Sequence, residues 1–254
     1  MMDFRARMEA RARRLGSRLV IALDFYNIAE LRAHVERATK LLEEMAPYAC
    51  AFKLNHHLLL PHGLRGLAKL TAKAEELGAP LIADLKLGDV GMTNRLVAEL
   101  LATHGFSALI ASPLPGRLEG LDALLEVRRD TGLGLLLLAY MSHRGAQELF
   151  SLKLADGRPL YAAFVALARR VGADGIIVGA TRPGLISSIK RGAPELPIYS
   201  PGIGPQGGAL EEAMRAGADY AIVGRQLLQG PNALSRAREA AKITAQLHAE
   251  AARR

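Results

Sequence analysis

The segment ADLKLGDV, residues 83–90, sets Asp84, Lys86 and Asp89 close together in the chain. If its first half is a strand, Asp84 and Lys86 project to the same face, with Asp89 in the loop that follows. Lys53, at the end of the apolar run 48–55, offers a second ammonium. Two ammoniums and two carboxylates brought together neutralise one another in a dry site, where an isolated charge is very costly. Such a network suits charge stabilisation and proton transfer. It would serve equally as a buried structural ion-pair cluster, and spacing alone leaves both readings open.

A second set of residues points to an anion. PGIGPQGG (201–208) is a glycine-rich loop that includes Gly202, Ile203, Gly204 and Gln206, and IVGRQ (222–226) contains Gly224 and Arg225. Backbone N–H groups in such loops, together with a helix N-terminus, cradle phosphate. A guanidinium adds a bidentate, charge-assisted contact. One glycine-rich loop is weak evidence, because glycine also simply makes turns; two loops, one with arginine, point to phosphate.

The elements that must position these groups are legible as an alternation. Short apolar runs occur at 18–24, 48–55, 80–86, 106–112, 133–142, 174–180, 196–202 and 219–224. Between them lie helical patterns, among them 28–45, 63–77, 92–104, 159–171 and 232–251. Near-continuous apolar strands alternating with helices predict a parallel sheet covered on its outer face. Eight such units predict a single-domain α/β fold, a closed (β/α)8 TIM barrel over 1–254. Residues 1–17 read as a basic, helical N-terminal extension and 232–254 as a C-terminal helix. Asp24, Lys53, Asp84, Lys86, Ser142, Gly202, Gly224 and Arg225 all fall at the C-terminal ends of runs, which meet at one mouth in a barrel. Their convergence makes that mouth the candidate site.

Composition bounds the alternatives. The 254 residues carry a net charge of +8, much of it in the two terminal segments, which read as solvated faces. A positive field attracts RNA and a phosphate ester alike, but no RNP-like, KH or zinc-finger pattern accompanies it, so no nucleic-acid partner is expected. The single cysteine, Cys50, cannot form an intrachain disulfide. With no apolar core in residues 1–17, this predicts a reducing, cytoplasmic setting. No apolar run reaches the roughly 18 residues of a membrane span, so no membrane partner is expected.

LDFYN at Asp24, FKLN at Lys53, DLKLGDVGMT from Asp84 to Thr93, MSH at Ser142, PGIGPQGG around Gln206 and VGR at Arg225 together resemble the orotidine 5′-monophosphate decarboxylase family. The resemblance runs from about residue 18 to 225. The Asp-x-Lys-x-x-Asp core is shared with sugar-phosphate relatives, 3-keto-gulonate 6-phosphate decarboxylase and hexulose 6-phosphate synthase, which form the alternative reading. MSH and the PGxGxQGG loop resemble the nucleotide enzyme more specifically.

The resemblance implies cofactor-free and metal-free conversion of orotidine 5′-monophosphate to UMP and carbon dioxide in pyrimidine synthesis. Lys86 would protonate C6, and Asp84 would stand against the substrate carboxylate. Asp24 and Lys53 would hold the ribose 3′-hydroxyl and complete the charge network. Ser142 would meet the pyrimidine edge, and Gln206 would link that edge to the phosphate. Arg225, with the Gly202 and Gly224 backbone, would hold the phosphate. Asp89 and Thr93 would reach across a homodimer interface to the neighbouring site. No phosphoribosyltransferase segment is visible, which implies the monofunctional form.

The sequence departs from the family in two places. Gly91 stands where proline is usual, which predicts a looser loop around Asp89. After Lys53 the chain reads Leu-Asn-His-His where glycine is more usual. Neighbouring histidines on a helix point to different faces and lack carboxylates at ligand spacing, so His56 and His57 read as structural or solvent-facing. His143 reads as a buttress for the Ser142 loop, and Cys50 as core.

Overall fold

A computed structural model describes residues 3–230 and 232–251. Eight parallel strands close into a barrel in sequence order: β1 (Leu19–Ala22), β2 (Ala51–Asn55), β3 (Leu81–Leu87), β4 (Ala108–Ala111), β5 (Gly134–Tyr140), β6 (Gly175–Val178), β7 (Ile198–Ser200) and β8 (Tyr220–Val223). The expected (β/α)8 architecture is therefore the observed one. Alternate residues of each strand face opposite ways, so the apolar runs serve two cores. Val20, Ile82, Ile110, Leu136, Leu138, Ile177 and Ile222 pack inside the barrel. Their neighbours, such as Leu19, Ile21, Leu81, Leu109 and Leu137, pack outward with the layer of helices.

The expected helices form, two of them with differences of consequence. The 28–45 pattern opens as a 3-10 turn, Ile28–Glu30, before the α-helix Leu31–Met45. The 63–77 pattern is two helices, His56–Gly66 and Ala68–Glu76, and the first begins directly after β2. Asn55 makes that early start possible, because its side-chain oxygen accepts the His56 N–H at 2.6 Å and caps the helix. The helix Ala233–Ala251 buries Ala237, Ala240, Ala241, Thr244 and Leu247; the last three residues of the expected 232–254 helix lie outside the described residues.

The N-terminal segment is no solvated appendage. Its helix, Phe4–Leu15, buries Phe4, Met8 and Ala12 against the interior residues of the barrel and forms its floor. The many arginines of this segment mask an apolar stripe at i, i+4 and i+8. Arg11, only 5% exposed, donates to the carbonyls of Ala46, Ala49, Leu77 and Gly78. These groups close the ends of Leu31–Met45 and Ala68–Glu76, where orphan carbonyls and the negative ends of the helix dipoles favour a cation. Arg18 is likewise buried, pairing with Glu9 at 2.6 Å. Part of the basic excess is thus spent inside the fold.

A floor helix predicts a stability effect far from the mouth. Phe4→Ala should cost about 3–5 kcal/mol in urea unfolding, the range for emptying a buried aromatic site. A cost below about 1 kcal/mol would show the helix to be dispensable.

Candidate active site

At the C-terminal ends of the strands the barrel opens into a cavity of about 260 Å³. Its lower wall is apolar, from Ile110, Leu138, Ile177 and Ile222, and its upper wall is polar. Parallel register sets the polar wall: Ala22 pairs with Lys53, Lys53 with Ile82, and Asn55 with Asp84. Lys53 and Asp84 thereby occupy inward positions one layer above the packed interior.

Lys53 is 4% exposed. Its Nζ lies 3.0 Å from Asp84 Oδ2 and 3.7 Å from Asp24 Oδ1. Asp84 uses its other oxygen, Oδ1, to accept from Lys86 Nζ at 2.7 Å. Burial alone would raise the Asp84 carboxyl; Lys53 and then Lys86 outweigh it and hold the group below its ordinary value. Burial likewise opposes charge on Lys53 and Asp24, but Asp84 and Asp24 raise the lysine while Lys53 and then His57 lower Asp24. All three remain charged because each has an opposite charge at contact distance. The two carboxylates stabilise the fold at neutral pH, and that contribution is lost as the pH falls through their depressed values.

Lys86 reaches Asp84 by an irregular route. The register with β4 shifts between Asp84 and Leu87, and Lys86 has φ of 48°, in the sparsely populated left-handed region. This bulge directs the ammonium back to Asp84 while leaving about a third of its side chain open to the cavity. Asp89 lies on the rim, exposed and outside the cavity lining, and the carboxylate on the far side of Lys53 is Asp24. Thr93 is also exposed on the rim.

The loop around Asp89 is firm, contrary to the looseness expected from Gly91. The fully buried Asn94 accepts the Asp89 N–H and donates to the Asp89 and Gly120 carbonyls. Gly91 starts the helix Gly91–Thr103, and a Cβ there would lie 3.1 Å from the Glu119 carbonyl oxygen. The absent side chain therefore permits close packing.

Across the mouth, the Ser142 hydroxyl donates to Gln206 Oε1 at 2.7 Å, joining the β5 loop to the β7 loop. Gly202 makes the approach possible: its φ is 94°, and a Cβ there would lie 2.4 Å from Ser142 Cβ. Gly202, Ile203, Gln206, Gly224 and Arg225 line the cavity; Gly204 does not, and its N–H bonds the Gly208 carbonyl within the loop. Gly224 precedes the short helix Arg225–Leu228.

Sequence reasoning missed Tyr26, Asn55, Met141 and the part played by His57. Tyr26, Asn55, Met141 and His143 line the cavity. Of the two readings of His57 the structural one fits: its buried Nε2 lies 3.5 Å from Asp24 Oδ1, while part of the ring stays open. Asn55 was findable, standing two residues after Lys53 on the same strand face. His57 was not, because its neighbourhood depends on where the helix after β2 begins. Cys50 is fully buried, as expected of a core residue. Among the described residues there is no group of three or more metal-ligating side chains, and no helix is long and apolar enough to cross a membrane. A wider cleft of about 1020 Å³ at the floor is lined by Arg7, Arg11 and Arg14. Its floor is made of helix ends, whose carbonyls already bind Arg11.

With this geometry in view, the sequence matches the orotidine 5′-phosphate decarboxylase / HUMPS family over residues 17–240. The chain belongs to that family. It is 36% identical over 222 residues to the orotidine 5′-phosphate decarboxylase of Pyrococcus abyssi, covering 87% of this chain and 96% of that one. The corresponding protein of Methanosarcina barkeri is 34% identical, covering 85% and 90%. Among solved structures, the Leishmania donovani OMP decarboxylase superposes with a TM-score of 0.84 at 26% identity, covering 97% and 99%. The Methanocaldococcus jannaschii orotidine 5′-monophosphate decarboxylase, complexed with the inhibitor BMP, gives 0.74 at 26% identity, covering 91% and 98%. As a member related to these enzymes, the chain is a carboxy-lyase.

The buried ion pairs of this decarboxylase-family site carry an unequal stability load. Lys53→Met leaves Asp84 and Asp24 without their shared cation and should cost about 3–5 kcal/mol at pH 7. Lys86→Met, at a partly solvated ammonium, should cost about 1 kcal/mol. Chemical unfolding of both variants measures the difference, and equal costs would contradict the assigned burial.

Proposed function

We propose that the chain converts orotidine 5′-monophosphate to UMP and carbon dioxide, with Lys86 as the proton donor and no metal or cofactor. The observation that carries this reading is the Lys86–Asp84–Lys53–Asp24 array, whose only partly open ammonium, Lys86, is held at 2.7 Å by a buried carboxylate. Cleavage of the bond between C6 and the carboxylate leaves its electron pair on C6 as carbon dioxide departs. That pair has no conjugated sink, so the site must stabilise it electrostatically. Lys86 Nζ supplies the stabilising charge and then the proton, ending as a neutral amine that solvent reprotonates. Asp84, fixed between two ammoniums, faces the substrate carboxylate and disfavours the ground state.

The remaining residues position the nucleotide. Asp24 and Lys53 take the ribose 3′-hydroxyl, Ser142 meets the pyrimidine edge, and Gln206 links that edge to the phosphate. Arg225 with the Gly202, Ile203 and Gly224 backbone takes the phosphate, while Gly204 shapes the loop. Binding energy from that remote phosphate supports closure over the reacting atoms. The reaction belongs to pyrimidine synthesis, and the free, buried Cys50 suits a reducing, cytoplasmic setting. The sugar-phosphate reading is not favoured, since the relatives at 33–36% identity are named orotidine 5′-phosphate decarboxylases.

The functional unit is a homodimer, with Asp89 and Thr93 completing the neighbour's site at the ribose 2′-hydroxyl. Its support is local. Val90, Met92 and Leu96 are 64%, 76% and 57% exposed around these two residues, an apolar cluster that a second copy would cover.

Loss of orotidylate absorbance in EDTA tests the activity directly. Lys86→Ala should lower kcat by at least about 10³-fold with an unchanged circular dichroism spectrum; near-normal kcat would refute the role given to Lys86. Mixing inactive Lys86→Ala with inactive Asp89→Asn protein should restore about a quarter of native activity, because hybrid dimers hold one native site. No recovery after confirmed subunit exchange would remove Asp89 from the neighbour's site.

A further inference from the structure

Tyr26 and His57 are among the mouth residues to which the family reading gives no role. The Arg225 guanidinium carbon lies 5.5 Å from the centroid of the Tyr26 ring. That ring in turn lies 4.9 Å from the His57 imidazole, tilted by 36°. His57 Nε2 then faces Asp24 Oδ1 at 3.5 Å, the same oxygen that Lys53 approaches at 3.7 Å. Neither the buried Nε2 nor the buried Oδ1 has a hydrogen-bond partner at present geometry. A shift of a few tenths of an ångström would convert their contact into a hydrogen bond.

We propose that Tyr26 and His57 form a positioning strut between the arginine that takes the phosphate and the carboxylate that takes the ribose. The proposal rests on the nucleotide reading of the site and adds two residues that touch neither the reacting carbon nor the scissile bond. Tyr26 is 56% exposed, so its ring is held by contacts at the rim and not by burial. A guanidinium stacked on it loses side-chain freedom before the phosphate arrives, which lowers the ordering cost of binding. His57 works at the other end. With a proton on Nε2 it orients the Asp24 carboxylate and leaves Oδ2 for a ribose hydroxyl. The start of the helix His56–Gly66 fixes His57 there, because Asn55 caps the helix directly at the end of β2.

NMR titrations with UMP and with uridine separate this from a merely structural role. Tyr26→Leu should weaken UMP binding about three- to tenfold, the yield of a partly exposed cation–π contact, and weaken uridine binding by a smaller factor, through the loss of its contact with His57. Tyr26→Phe should keep native affinity, and Tyr26→Leu should add no further loss in an Arg225→Ala background. His57→Leu should weaken both ligands alike through the ribose, and His57→Gln, which can still donate, should recover most of that loss. Equal losses of UMP and uridine in Tyr26→Leu, a full Tyr26→Leu effect without Arg225, or no recovery in His57→Gln would each overturn the strut while the nucleotide reading stands. Failure of the unsubstituted protein to bind UMP would overturn that reading and the strut with it.

Discussion

The burial of Lys53 between two carboxylates is the constraint around which the mouth of the barrel is organised. An ammonium that is almost wholly removed from water is tolerable only with opposite charge at contact. Here Asp84 and Asp24 supply it from β3 and from the end of β1. The apolar interior beneath, sealed at the far end by Phe4 and Met8, keeps the surroundings dry and the attractions strong. If the three strands were paired in another register, the lysine would lie opposite different residues. The packing of the floor and the chemistry of the mouth are therefore linked through strand register.

Lys86 differs from its neighbours in being only partly enclosed. Asp84 holds it from one side and the cavity is open on the other. The proton-donor role proposed for Lys86 needs that asymmetry, with a fixed position and an approachable face. The price is a left-handed backbone at a non-glycine residue, an irregularity that surrounding structure must hold in place. Around this rigid centre stand elements of another kind. The Ser142–Gln206 contact ties two loops together, and Asn94 pins the backbone at Asp89. Strand-borne groups form the charge array, while loop-borne groups complete the lining of the mouth.

Much of this was readable in advance because the barrel repeats one physical pattern. Strands buried on both faces must be apolar throughout, so a charge at the end of such a run stands out. Asp24, Lys53, Asp84 and Arg225 were each visible in that way, and they share one cavity. The floor helix was obscured because its five arginines are interleaved with its apolar residues, although Phe4, Met8 and Ala12 keep helical spacing. His57 was obscured for a different reason. Its nearness to Asp24 joins residues 33 positions apart through a helix whose start depends on the Asn55 cap. Gly91 misled because glycine has two uses; here it admits the Glu119 carbonyl and does not loosen the loop.

The sequence by itself determined the eight strand–helix units, the set of charged residues at strand ends, the two glycine loops and the family. These are local properties: periodicity, residue type and spacing are written along the chain. Only the tertiary structure decided which charges meet. It placed Asp24 with Lys53 and left Asp89 on the rim; it bent β3 at Lys86 and brought Tyr26 between Arg225 and His57. Pairings of that kind depend on register, bulges and helix starts, which follow from the simultaneous packing of distant segments. A shift of one residue in any of them would keep the same composition and dismantle the site.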